Sequence, residues 1–157
     1  MRCHGRRDQP LTGRAVSDTL TAFRLTETEQ GLSRWQSPRG DLVDGIGTAD
    51  VVWNSRRLRR SDDGVWRLEG EGGQWLAILS AGAAERTIVL DDGRLFLCCR
   101  EIGGYEICGP QRCGPYARWT LQGETWHGEP QVAATEMSGL QRLMLMSALA
   151  IVTDAGR

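Results

Sequence analysis

Two groups of side chains in this sequence are of a type and spacing that can do chemistry. The first is Arg56, Arg57, Arg59 and Arg60, four guanidinium groups within five residues, flanked by Trp53 and Trp66. Guanidinium forks match phosphate oxygens bidentately, and each clustered base near an anionic membrane contributes about 1 kcal/mol. The run therefore reads either as a ligand site for an anionic headgroup or phosphorylated partner, or as a solvated charged strand edge that discourages aggregation. The second group is Cys98, Cys99, Cys108 and Cys113, with His127 further on. Soft ligands on neighbouring strands can hold zinc tetrahedrally, but adjacent residues of a strand point to opposite faces, which works against Cys98 and Cys99 sharing one ion. Buried apolar thiols, a disulfide or a lipid-modified pair are the competing readings.

Catalysis has little to stand on. His4 falls in a polar N-terminal stretch and His127 at an expected turn, and no Gly-x-Ser-x-Gly, phosphate-binding loop or His-Glu-x-x-His pattern is present. A small-ligand barrel enzyme would have to depend on His127. The tryptophans read as core packing more readily than as a binding cage.

The elements that must position these residues follow from the hydrophobic pattern. Runs of strand length recur at Leu20–Leu25, Ala49–Trp53, Val65–Leu68, Trp75–Leu79, Thr87–Leu90, Leu95–Cys99, Tyr105–Cys108 and Tyr116–Leu121. Between them stand Asp62-Asp63-Gly64, Gly72-Gly73, Asp91-Asp92-Gly93, Gly103-Gly104 and Gln122-Gly123, residues that tolerate the positive φ of tight hairpins. A meander is expected from about residue 49 onward, while residues 27 to 47 read either as another strand pair or as a packed loop. Residues 1 to 18 carry few large apolar side chains and are expected to form a loose arm, leaving 19 to 157 as a single domain.

The pattern changes at Ser138-Gly-Leu-Gln141, which has the form of a capping box and predicts a helix over about 139–153, stopped by Gly156. The segment Leu143–Val152 has no polar face. A helix of about 15 residues spans about 22 Å, short of the ~20 residues a bilayer requires, so it should be surrounded by protein. The expected fold is mainly β with one C-terminal helix: an antiparallel β-barrel or strongly curved sheet enclosing a hydrophobic α-helix.

That combination, with the terminal segment Ala150-Ile-Val-Thr-Asp154, resembles the tubby C-terminal-like superfamily, which includes phospholipid scramblases and LURP-one-related proteins. Cys98-Cys99, Glu101-Ile102 and Gln122-Gly-Glu-Thr-Trp126-His127 are similar to the cysteine-rich and Thr-Trp-His region of scramblases. The resemblance implies a closed barrel around the helix. No acidic segment of the kind scramblases use for calcium precedes the helix, so calcium dependence is not implied.

Acids and bases nearly cancel at 20 against 19, so any electrostatic function must be local. All the bases are Arg, as a GC-rich coding sequence would also produce. The five cysteines are too unevenly placed for a disulfide-stapled secreted scaffold, and no signal-peptide-like apolar stretch follows the basic start. A cytoplasmic protein, peripheral at the membrane, is expected. The leading functional reading is a non-enzymatic, cofactor-free binding module for anionic phospholipid headgroups or an acidic or phosphorylated partner. A cysteine-based zinc domain is the alternative, and nucleic acid is not an expected partner because no RNP, KH or helix-turn-helix signature is present.

Overall fold

The computed structural model describes residues 22–81, 85–110 and 114–154. The expected arm at 1–18, Cys113 and the Gly156 stop lie outside them. Twelve strands form one antiparallel sheet: β1 Phe23–Glu27, β2 Ser33–Gln36, β3 Leu42–Ile46, β4 Asp50–Trp53, β5 Arg56–Arg60, β6 Trp66–Glu69, β7 Trp75–Ala81, β8 Arg86–Leu90, β9 Leu95–Glu101, β10 Gly104–Cys108, β11 Pro115–Gln122 and β12 Thr125–Pro130. The order is β3-β2-β1-β12-β11-β10-β9-β8-β7-β6-β5-β4. Two meanders, β1–β3 and β4–β12, are thus joined by pairing of β1 with β12. The terminal strands β3 and β4 lie side by side without a hydrogen-bonded ladder, so the barrel is nearly closed with a single seam.

Each expected turn has one glycine at positive φ, Gly64, Gly73, Gly93, Gly103 and Gly123, while Gly72 and Gly104 do not take it up. Residues 27 to 47 supply a true strand pair, β2 and β3. His127 does not lie at a turn. It is the third residue of β12, whose inward position is filled by Gly128 and therefore lacks the apolar alternation that marks a strand. Gly128 faces Trp119 across the ladder, and a Cβ there would come within 2.8 Å of the indole and of Met144 Cε. The missing side chain is the space into which Trp119 fits.

Through the barrel runs α2, Leu140–Val152, preceded by the single turn α1, Val132–Thr135. Leu143 to Ile151 are all fully buried, and α2 packs against β7 and β8 on one side and β2 on the other. Each large apolar side chain on it contributes about 2 kcal/mol by leaving water. Its one buried hydroxyl, Ser147, accepts from Trp119 Nε1 at 2.8 Å and donates to the Met144 carbonyl at 3.0 Å. No helix among the described residues is long and apolar enough to cross a membrane.

The expected capping box does not form. The N-cap is Gly139, at φ 83° and without a side-chain cap, and Gln141 donates instead to Asp41 Oδ2 at 3.0 Å. A carboxylate supplied by the barrel wins the Gln141 amide, so its link to the helix start is tertiary, not local. Asp41 also accepts from Ser37 Oγ and from Asn54 Nδ2, joining the segments that border the seam to the first turn of α2.

Candidate functional site

The strand repeat of two divides the arginine run. On β5, Arg57 and Arg59 point outward while Leu58 fills the core, which puts Arg56 and Arg60 on the inward phase at the two ends of the strand, about 13 Å apart along it. Arg57 pairs with Asp50 at 3.4 Å and Arg59 with Glu69 at 3.6 Å, so the outer pair sits among neutralising carboxylates. Such exposed pairs are worth little stability, about 0–1 kcal/mol each. Arg60 borders a small recess of about 220 Å³ beside Gly47, Arg86 and Thr153, at the C-terminal end of α2. Arg56 lies at the other end, its guanidinium 4.9 Å from the centre of the Trp53 ring. Trp53 and Trp66 are both core residues, at 4% and 5% exposure, and present no open aromatic surface.

At the mouth where α2 begins, Arg56 is joined by Arg39 and Arg142 around a cavity of about 610 Å³ whose apolar lining includes Phe23, Leu76 and Leu140. Arg142 donates to Asp91 Oδ1 at 2.9 Å and is held against the Leu76 carbonyl at 3.4 Å. Arg39 and Arg56 have no carboxylate within ion-pair distance among the described residues. The first turn of α2 itself contains no acidic side chain, so its amide end favours an anion as the guanidinium groups do, with Asp41 and Asp91 the carboxylates bound to Gln141 and Arg142 there. Arg39 comes from the β2–β3 connection and Arg142 from the helix. Neither has a neighbour in sequence that would mark it, and only the closing of the barrel brings them beside Arg56.

The opposite mouth is built around the last turn of α2. Arg86 donates to the Ala150 carbonyl at 2.9 Å and to the Thr153 carbonyl at 3.1 Å, placing a cation on the negative end of the helix. Asp154 then gathers Arg86 at 3.9 Å, Arg100 at 3.6 Å and the Tyr105 hydroxyl, which donates to it. Burial, followed by that hydrogen bond, pushes the Tyr105 hydroxyl well above the usual phenol range.

Among the described residues the thiols and His127 form no common site. Cys98 faces the core and Cys99 the outside, where its sulfur lies 3.5 Å from Glu85 Oε2. Burial pushes the Cys98 thiol up to about 12 from 9.0, with the neighbouring Cys99 adding to the effect. Cys108 is buried on β10, and His127 stands on β12, two strands beyond it, with Thr120 and Arg24 opposite. No three His, Cys, Asp or Glu side chains among the described residues form a group able to hold a metal ion.

No family model, no curated protein and no solved structure matches this chain. The functional reading accordingly rests on the two mouths and their charges.

Proposed function

We propose that this protein is a non-enzymatic binding module that receives an anionic phospholipid headgroup at the mouth where α2 begins. The observation that carries the proposal is the pair Arg39 and Arg56, without a carboxylate partner among the described residues and set beside Arg142 over an apolar cavity. Guanidinium groups suit phosphate oxygens, and the apolar lining suits the glycerol and first methylenes below a headgroup. On this reading Arg57, Arg59 and Arg60 are not ligands. The strand-wrapped apolar helix also supports kinship with the tubby C-terminal-like superfamily, and a cytoplasmic protein that docks peripherally on the inner leaflet follows from the same proposal.

The test is co-flotation with phosphatidylcholine vesicles containing or lacking a phosphoinositide, at low and high salt. At about 1 kcal/mol per arginine near an anionic surface, Arg39→Ser with Arg56→Ser should weaken binding about 30-fold. Arg57→Ser with Arg59→Ser should leave it nearly unchanged. Equal losses from both double variants would reduce the effect to general charge, and absence of flotation under every condition would end the membrane reading.

A further inference from the structure

The mouth at the C-terminal end of α2 carries the opposite charge. A cavity of about 830 Å³ opens there, edged by Glu27, Glu29, Glu101 and Glu124. These four carboxylates come from three separate hairpins, β1–β2, β9–β10 and β11–β12, and none has a cation within ion-pair distance among the described residues. Arg100, the one base in the lining, is turned to Asp154. The wall of the cavity is aromatic: Trp126 and Tyr105 stand with ring centres 5.5 Å apart at 57°. At its edge Leu121 is 47% exposed, and Ile102, on the tip of the β9–β10 turn between two lining residues, is fully exposed.

We propose that this mouth docks a short basic segment of a partner protein, an arginine stacking on Trp126 within the ring of glutamates and a neighbouring apolar side chain meeting Ile102 and Leu121. Charge complementarity selects the occupant. Four unneutralised carboxylates repel an anionic bilayer and any phosphorylated partner, and they attract a guanidinium, which an indole face also binds. A bare metal ion does not suit the place, because no three of these side chains gather closely enough to ligate one and the cavity is far larger than an ion. The exposed Ile102 and Leu121 supply what a purely ionic site lacks, an apolar contact at the centre of a polar rim, the usual anatomy of a protein–protein contact. This site is independent of the basic mouth: it lies at the other end of the helix and shares no residue with it.

Fluorescence anisotropy of a labelled peptide alternating Arg and Leu, titrated with the full chain, tests the proposal. Binding should weaken with added salt. The exposed, charge-only variant Glu27→Gln with Glu101→Gln and Glu124→Gln should bind about ten-fold more weakly, since three partly screened ion pairs are lost. Ile102→Ser should weaken binding as well, while Arg39→Ser with Arg56→Ser should leave it unchanged. Equal binding to the triple glutamine variant, equal binding of a Glu–Leu peptide, or no binding of the Arg–Leu peptide would overturn the proposal. So would sedimentation showing self-association that both the glutamine and the arginine variants abolish, because the acidic mouth would then be filled by the basic mouth of a second copy.

Discussion

Replacing Arg86 by Met should remove the cation that closes the helix while keeping most of the side chain's apolar volume. Two main-chain carbonyls lose their donor. That of Ala150 belongs to a fully buried residue, so water does not replace the guanidinium and the loss is about 2 kcal/mol, within the range for hydrogen bonds to charged groups. That of Thr153 lies on a partly exposed residue and finds water, which leaves about 1 kcal/mol from the weaker bond and the helix dipole together. The sum, about 3 kcal/mol, divided by a urea slope of about 2 kcal/mol per molar, lowers the unfolding midpoint by about 1.5 M. Intrinsic tryptophan fluorescence would follow it, and Arg86→Lys should recover about half, since an ammonium keeps the charge but not the fork. Hydrogen exchange adds a local signature: amides of Leu149 to Val152 should lose protection before those of the preceding turns. A midpoint shift below about 0.3 M, or protection lost uniformly along the helix, would refute the capping role.

Two further perturbations probe the interior. Ser147→Ala should cost about 1–2 kcal/mol, since the gain in helix propensity only partly offsets the stranded Trp119 N–H, and combining it with Trp119→Phe should cost less than the two single changes added together; strict additivity in a urea double-mutant cycle would show that the bond carries nothing. Because burial holds the Cys98 thiol protonated up to about 12 while the unfolded thiol ionises near 9.0, the unfolded chain binds fewer protons above pH 9.0, so this contribution is intact below that pH and is lost as pH rises toward about 12. The raised Tyr105 hydroxyl acts with the same sign above its ordinary value. Urea midpoints compared at pH about 8 and about 10 should fall on the alkaline side, and fall less steeply for Cys98→Ala, with no difference between the two proteins contradicting the assignment.

The fold was legible where a residue's own chemistry decides its local geometry. Turn glycines declared most hairpins, and a helix without a polar face declared that something must enclose it. Legibility failed where neighbours in space decide. Strand β12 is hidden because its inward position is a glycine chosen to admit Trp119, and the Ser138 box is overruled by Asp41, nearly a hundred residues earlier. The candidate site was the least readable part. Four arginines within five residues look like one site until the strand repeat sends Arg57 and Arg59 to the outer wall and Arg56 and Arg60 to opposite mouths. The reverse holds for Arg39, Arg56 and Arg142, which are scattered in sequence and gathered only by the barrel.

The helix direction links these observations. A helix threaded through a barrel gives each mouth one end of its dipole, so the N-terminal mouth favours anions and the C-terminal mouth favours cations before any side chain is added. Several side chains at the mouths continue that sense: Arg39 and Arg56 around the first turn of α2, and Glu27, Glu29, Glu101 and Glu124 beyond its last, none of them ion-paired among the described residues. Arg60, Arg86 and Arg100 run against it at the C-terminal mouth: Arg86 neutralises the buried carbonyl end from inside, Arg100 is turned to Asp154, and Arg60 borders a separate small recess. A chain whose net charge is only −1 thus sets an arginine-lined cavity at one mouth and a glutamate-edged cavity at the other. On the two proposals made above, one end would face an anionic surface while the other took a basic partner, and a single barrel would engage both at once without either ligand crossing the core.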